Sequence, residues 1–240
     1  PVHVYGTPCD NTAIQAIANK HNLKVIYDAA HAFGVKKDGI SILNWGDLSI
    51  LSFHATKAYS TIEGGAIICH THEMKKKLDQ LKNFGYESET EITMLGSNAK
   101  VNEIQAAYGL ASLKYIDDAI ASRKRSAELY KKELSNIKGI SFLNIQDNVK
   151  LNYSYFPIIV NEKEYGESRD SLYFRLRENN ILSRRYFYPL ITDFDFYKNH
   201  DYKKYDLSIS KSISDNVICL PMHHNLSDYD INTIINFIKG

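Results

Sequence analysis

Short apolar runs alternate with amphipathic stretches over residues 11–84, and this alternation constrains the fold more than any other feature of the chain. Residues 11–22 read as a helix, since Asp10, Asn11 and Thr12 offer an N-cap and Ile14, Ile17 and Ala18 fall on one face. Residues 24–27 follow as a short buried strand ending at Asp28. Residues 48–53 and 65–69 are two further strand candidates, and residues 73–84 a second helix. Strand, helix and strand in this order predict an α/β layer on a mainly parallel sheet with flanking helices.

A long helical stretch covers residues 102–118 and then 119–137. Ile104, Ala107, Leu110 and Ala111 form its first apolar stripe, and Gly139 closes it at a C′ position. The character then changes. Strands over residues 140–143 and 153–160, a helix over 168–180, a strand around 184–187 and a last helix over 227–239 predict a smaller α+β unit. The expected domains are therefore residues 1–139 and residues 140–240.

Composition removes several function classes. A chain of 240 residues and 27.4 kDa can bury a true core without a disulfide or metal staple. Its 29 basic and 28 acidic side chains leave a net charge of +1, without the basic excess of a dedicated nucleic-acid binder. Hydrophobic content of 44% with 24% charged residues is that of a globular protein, not a disordered one. No apolar run approaches the roughly 18 residues that cross a bilayer, and the N-terminus lacks the basic start and apolar stretch of a signal peptide. Cys9, Cys69 and Cys219 are far apart and odd in number, which suggests a reduced, cytoplasmic setting. The chain opens without Met in what reads as a strand end, as an internal piece of something longer would.

Three features of the first half belong together. Asp28 ends a strand in Val25-Ile-Tyr-Asp-Ala-Ala-His31, and ligands of open α/β sheets bind at the carboxyl ends of strands. Ser52-Phe-His-Ala-Thr-Lys57 follows the next strand candidate, and Glu63-Gly-Gly-Ala66 leads into another. Singly, such an Asp is more often a cap, a lone Lys a surface charge, a Gly-Gly a turn and His31 a satisfied polar residue. Together they meet the needs of pyridoxal phosphate: a lysine amine for the Schiff base, an acid to keep the ring nitrogen protonated, and a hydroxyl for the phosphate.

Asp28-Ala-Ala-His31, Ser52-Phe-x-x-x-Lys57 and Glu63-Gly-Gly-Ala66 resemble the DegT/StrS family of sugar-nucleotide aminotransferases, which are fold-type I pyridoxal-phosphate enzymes. Pro1-Val-His-Val-Tyr-Gly6, Gly96-Ser-Asn-Ala-Lys100, Gln105-Ala-Ala107, Arg184-Arg-Tyr-Phe-Tyr-Pro189 and Leu220-Pro-Met-His223 extend the resemblance in the family's order over essentially the whole chain. The family's chain begins well before the segment matched by Pro1, so the resemblance implies a large domain incomplete at its N-terminus.

The resemblance implies that Lys57 is the Schiff-base lysine and proton shuttle. Asp28 would pair with the pyridinium nitrogen, His31 would lie near the cofactor's phenolic oxygen and Ser52 would hold the phosphate. Asn98 or its neighbour Lys100 would reach the partner subunit's site in a homodimer with shared active sites. The retained Lys57 implies transamination rather than the sugar dehydration of family members with His in its place. Phe53-His-Ala-Thr-Lys57 followed by Thr61-Ile-Glu-Gly-Gly65 most resembles enzymes that aminate dTDP-4-keto-6-deoxyglucose at C4 with glutamate as donor, for surface glycans. A non-catalytic regulator or dimerisation module is the alternative from another class. Arg184, Arg185, Tyr186 and Tyr188 are candidates for the nucleotide diphosphate, because an Arg fork binds phosphate bidentately. His223-His224 carries no metal reading, since adjacent side chains diverge and no third ligand is suitably spaced.

Overall fold

The computed structural model describes residues 1–197, 199 and 204–240. In chain order it contains α1 (Asn11–His21), β1 (Ile26–Asp28), β2 (Lys36–Lys37), β3 (Ile40–Ser41), β4 (Leu48–Ser52) and β5 (Gly65–Cys69). Then come α2 (His72–Lys82), α3 (Glu103–Leu113), α4 (Ile116–Leu134), β6 (Ile140–Phe142), β7 (Val149–Lys150) and β8 (Phe156–Val160). The last elements are α5 (Glu162–Tyr165), α6 (Arg169–Glu178), α7 (Ser208–Asn216), β9 (Val217–Leu220) and α8 (Asp228–Lys239). Among the described residues, no helix is long and apolar enough to cross a membrane.

Two compact units result: residues 1–120 with 145–154, and residues 121–144 with 155–240. Residue 139, where the sequence changes character, lies inside the second. Most of α4 belongs there because Tyr130 and Leu134 are fully buried, Tyr130 stacks on Phe156 at 5.0 Å, and its hydroxyl donates to the Pro221 carbonyl at 3.1 Å.

The first unit is an α/β layer. Its sheet has the order β1-β4-β5, with Asp28 opposite Ile50 in the parallel pair and Ile50 opposite Ile67 in the antiparallel pair. The mainly parallel expectation therefore holds for β1 and β4 but not for β5. Residues 53–64 contain no crossover helix, and without one the chain can only return antiparallel. The alternating side chains of β4 point Leu51 into a core with Ala29, Ala32, Val35 and Ile42. Ile26, Ile50 and Ile67 are exposed, so β1 buries only Tyr27, against the buried strand expected. Asp10 caps α1 by accepting from Ala13 N, and Asn22 ends it in the left-handed conformation.

The second unit packs α6 and α8 with the antiparallel sheet β6-β8-β9. Leu172 and Leu176 of α6 and Ile231, Ile235 and Ile238 of α8 are almost wholly buried, at the helical spacing that makes one apolar face. Three local expectations change. The long helix breaks at Lys114, where α3 ends, rather than at residue 118. It stops at Leu134, so Gly139 (φ 79°) serves the turn into β6 instead of capping the helix, and a Cβ there would lie 2.4 Å from Tyr165 N. Residues 184–187 form no strand but a single bridge between Arg184 and Cys219.

Candidate active site

Parallel pairing brings the carboxyl ends of β1 and β4 side by side, and the candidate residues follow directly from those ends. Asp28 ends β1, and its Oδ1 accepts from Ala30 N at 3.0 Å, a local turn that an Asp side chain forms readily. Ala29 N donates to Ile50 O at 2.9 Å and Ala32 N to Ala29 O at 2.8 Å. Both alanines are completely buried, which leaves room for nothing larger where the chain folds back on the sheet. That turn buries His31 to 8% exposure.

His31 is held from two directions within this unit. Its Nδ1 accepts from the backbone N–H of Tyr5 at 3.0 Å. Asn152 Nδ2 donates to the carbonyls of His31 and Phe33 at 2.8 and 2.9 Å. Tyr5 and Asn152 are the site-supporting residues that reading the sequence misses. Asn152 lies 121 positions from His31, and no local pattern marks such a contact.

The loop after β4 carries Lys57. Ser52 Oγ accepts from His54 N at 3.3 Å, and Lys57 N donates to His54 O at 2.9 Å. Phe53 N donates to Gly64 O and Thr61 N to Phe53 O, both at 2.9 Å, so the loop closes on itself. Phe33 stacks on Tyr59 at 4.5 Å and Phe53 meets Tyr59 edge-on at 5.0 Å, anchoring the loop to the turn after β1. The glycines are a packing requirement. A Cβ on Gly64 (φ 151°) would lie 2.4 Å from Thr61 Oγ1, and one on Gly65 would lie 2.7 Å from Leu51 O.

Electrostatics tie three of these side chains together. Burial lowers the pKa of the half-buried Lys57 amine, and the Asp28 carboxylate partly opposes the shift. Burial also lowers His31 to about 4, helped by the Lys57 charge and opposed by Asp28. Each of the three therefore lies within the electrostatic reach of the other two. His31 is neutral near pH 7, and Lys57 has a larger neutral fraction than a free lysine. A carboxylate, a neutral imidazole and a softened amine on one rim can hold an aromatic aldehyde and condense with it.

The remaining candidates make contacts of their own. Asn98 is exposed and its backbone bridges Asn83. Lys100 Nζ donates to Asn83 Oδ1 at 2.8 Å and lies 5.0 Å from the Phe84 ring centre. Arg184, Arg185, Tyr186 and Tyr188 all belong to the second unit. There Arg185 donates to Asp170 at 3.0 Å and lies over Tyr173 at 4.3 Å, while Arg169 lies over Tyr188 at 4.5 Å. Tyr186 stacks on Phe187 at 5.0 Å, and Arg184 is exposed.

A family model described as the DegT/DnrJ/EryC1/StrS aminotransferase family matches residues 1–239. The chain belongs to that family. The DegT/DnrJ/EryC1/StrS match runs through both compact units. The dTDP-4-amino-4,6-dideoxy-D-glucose transaminases of Shigella dysenteriae and Escherichia coli are 50% and 42% identical to it, each over 100% of this chain and 65% of the relative. The crystal structure of DesI in the presence of its TDP-sugar product is 28% identical with a TM-score of 0.93, covering 99% of this chain and 60% of that one. The chain thus spans 65% of the length of the two curated relatives.

Proposed function

We propose that this chain carries the cofactor site of a pyridoxal-phosphate transaminase that aminates dTDP-4-keto-6-deoxyglucose with L-glutamate as donor. The observation behind this reading is the grouping of a half-buried Lys57 of lowered pKa with Asp28 at a strand end and a neutral His31. The donor set fits the cofactor: an amine for its aldehyde, a carboxylate for its ring nitrogen and an imidazole for its phenolic oxygen. Support for the sugar comes from the 50% identity to the Shigella transaminase and from the TDP-sugar product present with DesI.

Bound pyridoxal phosphate supplies an aldehyde for imine exchange and a ring that takes up an electron pair. Lys57 Nζ is the nucleophile, and afterwards the base and acid that moves a proton at the reacting substrate carbon. Its burial favours this work because only the neutral amine attacks or accepts a proton. Asp28, oriented by the Ala30 N–H, would hold the ring nitrogen in its protonated form. Ser52 would hold the phosphate, together with backbone N–H groups.

In a homodimer with shared sites, Asn98 is the better candidate to reach the partner's site, because the Lys100 amine is engaged by Asn83. For the nucleotide diphosphate, Arg184 is the better candidate of the two arginines, because Arg185 is paired with Asp170. Tyr186 and Tyr188 would flank it. Three free cysteines accord with a cytoplasmic enzyme.

The test is covalent. Pyridoxal phosphate is added to the 240-residue chain and to a chain of the relatives' full length, followed by borohydride reduction and peptide mapping. Label on Lys57 in either chain supports the reading, and label on the longer chain alone assigns part of the site to the additional segment. No label on Lys57 in either chain refutes it. Amination of dTDP-4-keto-6-deoxyglucose by the longer chain, abolished in Lys57→Ala, then tests the reaction.

A further inference from the structure

Residues 1–9 lie along the end of β1, and their hydrogen bonds converge on the candidate cofactor residues. Asp28 N donates to Pro1 O and His3 N to Asp28 O, both at 2.9 Å, which makes a parallel bridge at Val2. The chain then turns through Tyr5 and Gly6, both at positive φ (58° and 85°). For a bulky residue such as Tyr5 this is a strained conformation, and strain of this kind gathers where function over-determines the backbone. The turn brings Tyr5 N–H to His31 Nδ1 at 3.0 Å. Only glycine fits next, because a Cβ on Gly6 would lie 2.9 Å from His31 O.

Two side chains tie the ends of this loop: the Cys9 thiol donates to Val2 O at 3.1 Å, and His3 accepts from within the loop. His3 is completely buried and stacks on Tyr27 with centroids 4.7 Å apart and planes 10° from parallel. Its Nδ1 accepts from Cys9 N at 3.0 Å, joining the two ends of the loop. Its Nε2 is buried without a hydrogen-bond partner. An orphaned buried nitrogen is costly, so an apolar ring would serve better if packing were the whole role of position 3. What an imidazole adds there is the Nδ1 acceptor.

The consequence reaches His31. A backbone amide can only donate, so the ring nitrogen facing Tyr5 N–H must present its lone pair. A neutral imidazole then carries its one proton on Nε2. Burial holds both His3 and His31 at about 4, so both rings are neutral acceptors near pH 7.

We propose that His3 is a positioning residue: by closing residues 3–9 into a loop it presents the Tyr5 N–H to His31 Nδ1 and fixes His31 as an Nε2–H donor for the cofactor's phenolic oxygen. The cofactor half rests on the pyridoxal-phosphate reading, whereas the tautomer half does not. The experiment keeps the two apart by measuring the tautomer in cofactor-free protein. Nitrogen-15 correlation spectra of the His ring resonances, with His31 assigned by His31→Gln, should show the proton on Nε2 alone. His3→Phe keeps the stacked ring and loses the acceptor, so both His31 nitrogens should share the proton and its acidity should weaken about tenfold or more. His3→Asn places an acceptor where Nδ1 was and should restore the single tautomer.

A proton on Nδ1 in the unmodified protein overturns the inference without any variant, and so does a folded His3→Phe protein that keeps the Nε2 tautomer unchanged. If His3→Phe does not fold, a mixed tautomer in the folded His3→Asn protein overturns it equally. In cofactor titrations, pyridoxal phosphate should bind about tenfold more weakly to His3→Phe than to His3→Asn, the size of one ordinary hydrogen bond. Equal binding alongside a changed tautomer removes the cofactor half.

Discussion

Replacing Asn152 by alanine should destabilise the first unit far more than its size suggests. Asn152 is 1% exposed and makes three hydrogen bonds: Nδ2 to the carbonyls of His31 and Phe33, and Oδ1 from Ser154 N at 3.1 Å. Truncation removes no apolar packing of consequence but leaves those groups without partners. Each buried unsatisfied group costs about 1–3 kcal/mol, so the expected loss is about 3–5 kcal/mol, near the upper end for a single substitution. Trp45, the one tryptophan of the chain, packs against the Ala18, Val25 and Tyr27 cluster of the same unit and reports its unfolding. Urea denaturation followed by Trp45 fluorescence should therefore show a lower midpoint at unchanged slope. Asn152→Asp should do no better than alanine, because it keeps an acceptor for Ser154 but turns oxygen toward two carbonyls. A loss under about 1 kcal/mol in Asn152→Ala would mean that the carbonyls find other partners, and the argument that Asn152 clamps the His31 turn would fall.

Acid should weaken the same unit through its histidines. Each has a folded pKa of about 4 against 6.5 unfolded, so the unfolded chain binds the extra proton first and stability is lost as pH falls from 6.5 towards 4. The loss is about 3 kcal/mol for each ring, and Trp45-monitored denaturation across that window should be flatter in His31→Gln. Gly109→Ala on α3 would set a Cβ 2.7 Å from Thr61 Cγ2 and 2.8 Å from Tyr59 Oη, so it should cost about 1–3 kcal/mol by overpacking in the same assay. It should also slow borohydride-trapped labelling of Lys57, whose loop Tyr59 anchors. In the second unit, buried Arg169 donates through Nη1 to the carbonyls of Ser214 and Val217 at 3.0 and 2.9 Å. Arg169→Met should lose about 2–4 kcal/mol, read as faster amide exchange in α7 and β9, with no change if other donors replace it.

What could be read beforehand follows from how local each cause is. Asp10 before α1, Ser227 before α8 and the apolar spacing of Ile231, Ile235 and Ile238 are signals within one or two helical turns, and those elements lie where the sequence puts them. β5 runs antiparallel for a reason equally present in the sequence, namely that residues 53–64 carry no helical pattern between the two strands. The bridge at Arg184 fails to become a strand because its backbone pairs with Cys219 alone, and a single partner residue leaves no mark in composition.

The candidate site divides along the same line. Asp28 and Ser52 end strands and His31 and Lys57 follow those ends directly, so sequence order alone brings them to one rim. The groups that set their chemistry are distant or are backbone atoms. Asn152 arrives from 121 positions away, and Tyr5 contributes only a backbone N–H, which every non-proline residue possesses. A side-chain motif can therefore name the residues that touch a cofactor, but it carries no mark of the amide that decides which nitrogen of His31 holds the proton. The one local trace of that amide is His3 with Gly6: an imidazole where an apolar ring would pack, three residues before a glycine that the His31 carbonyl requires.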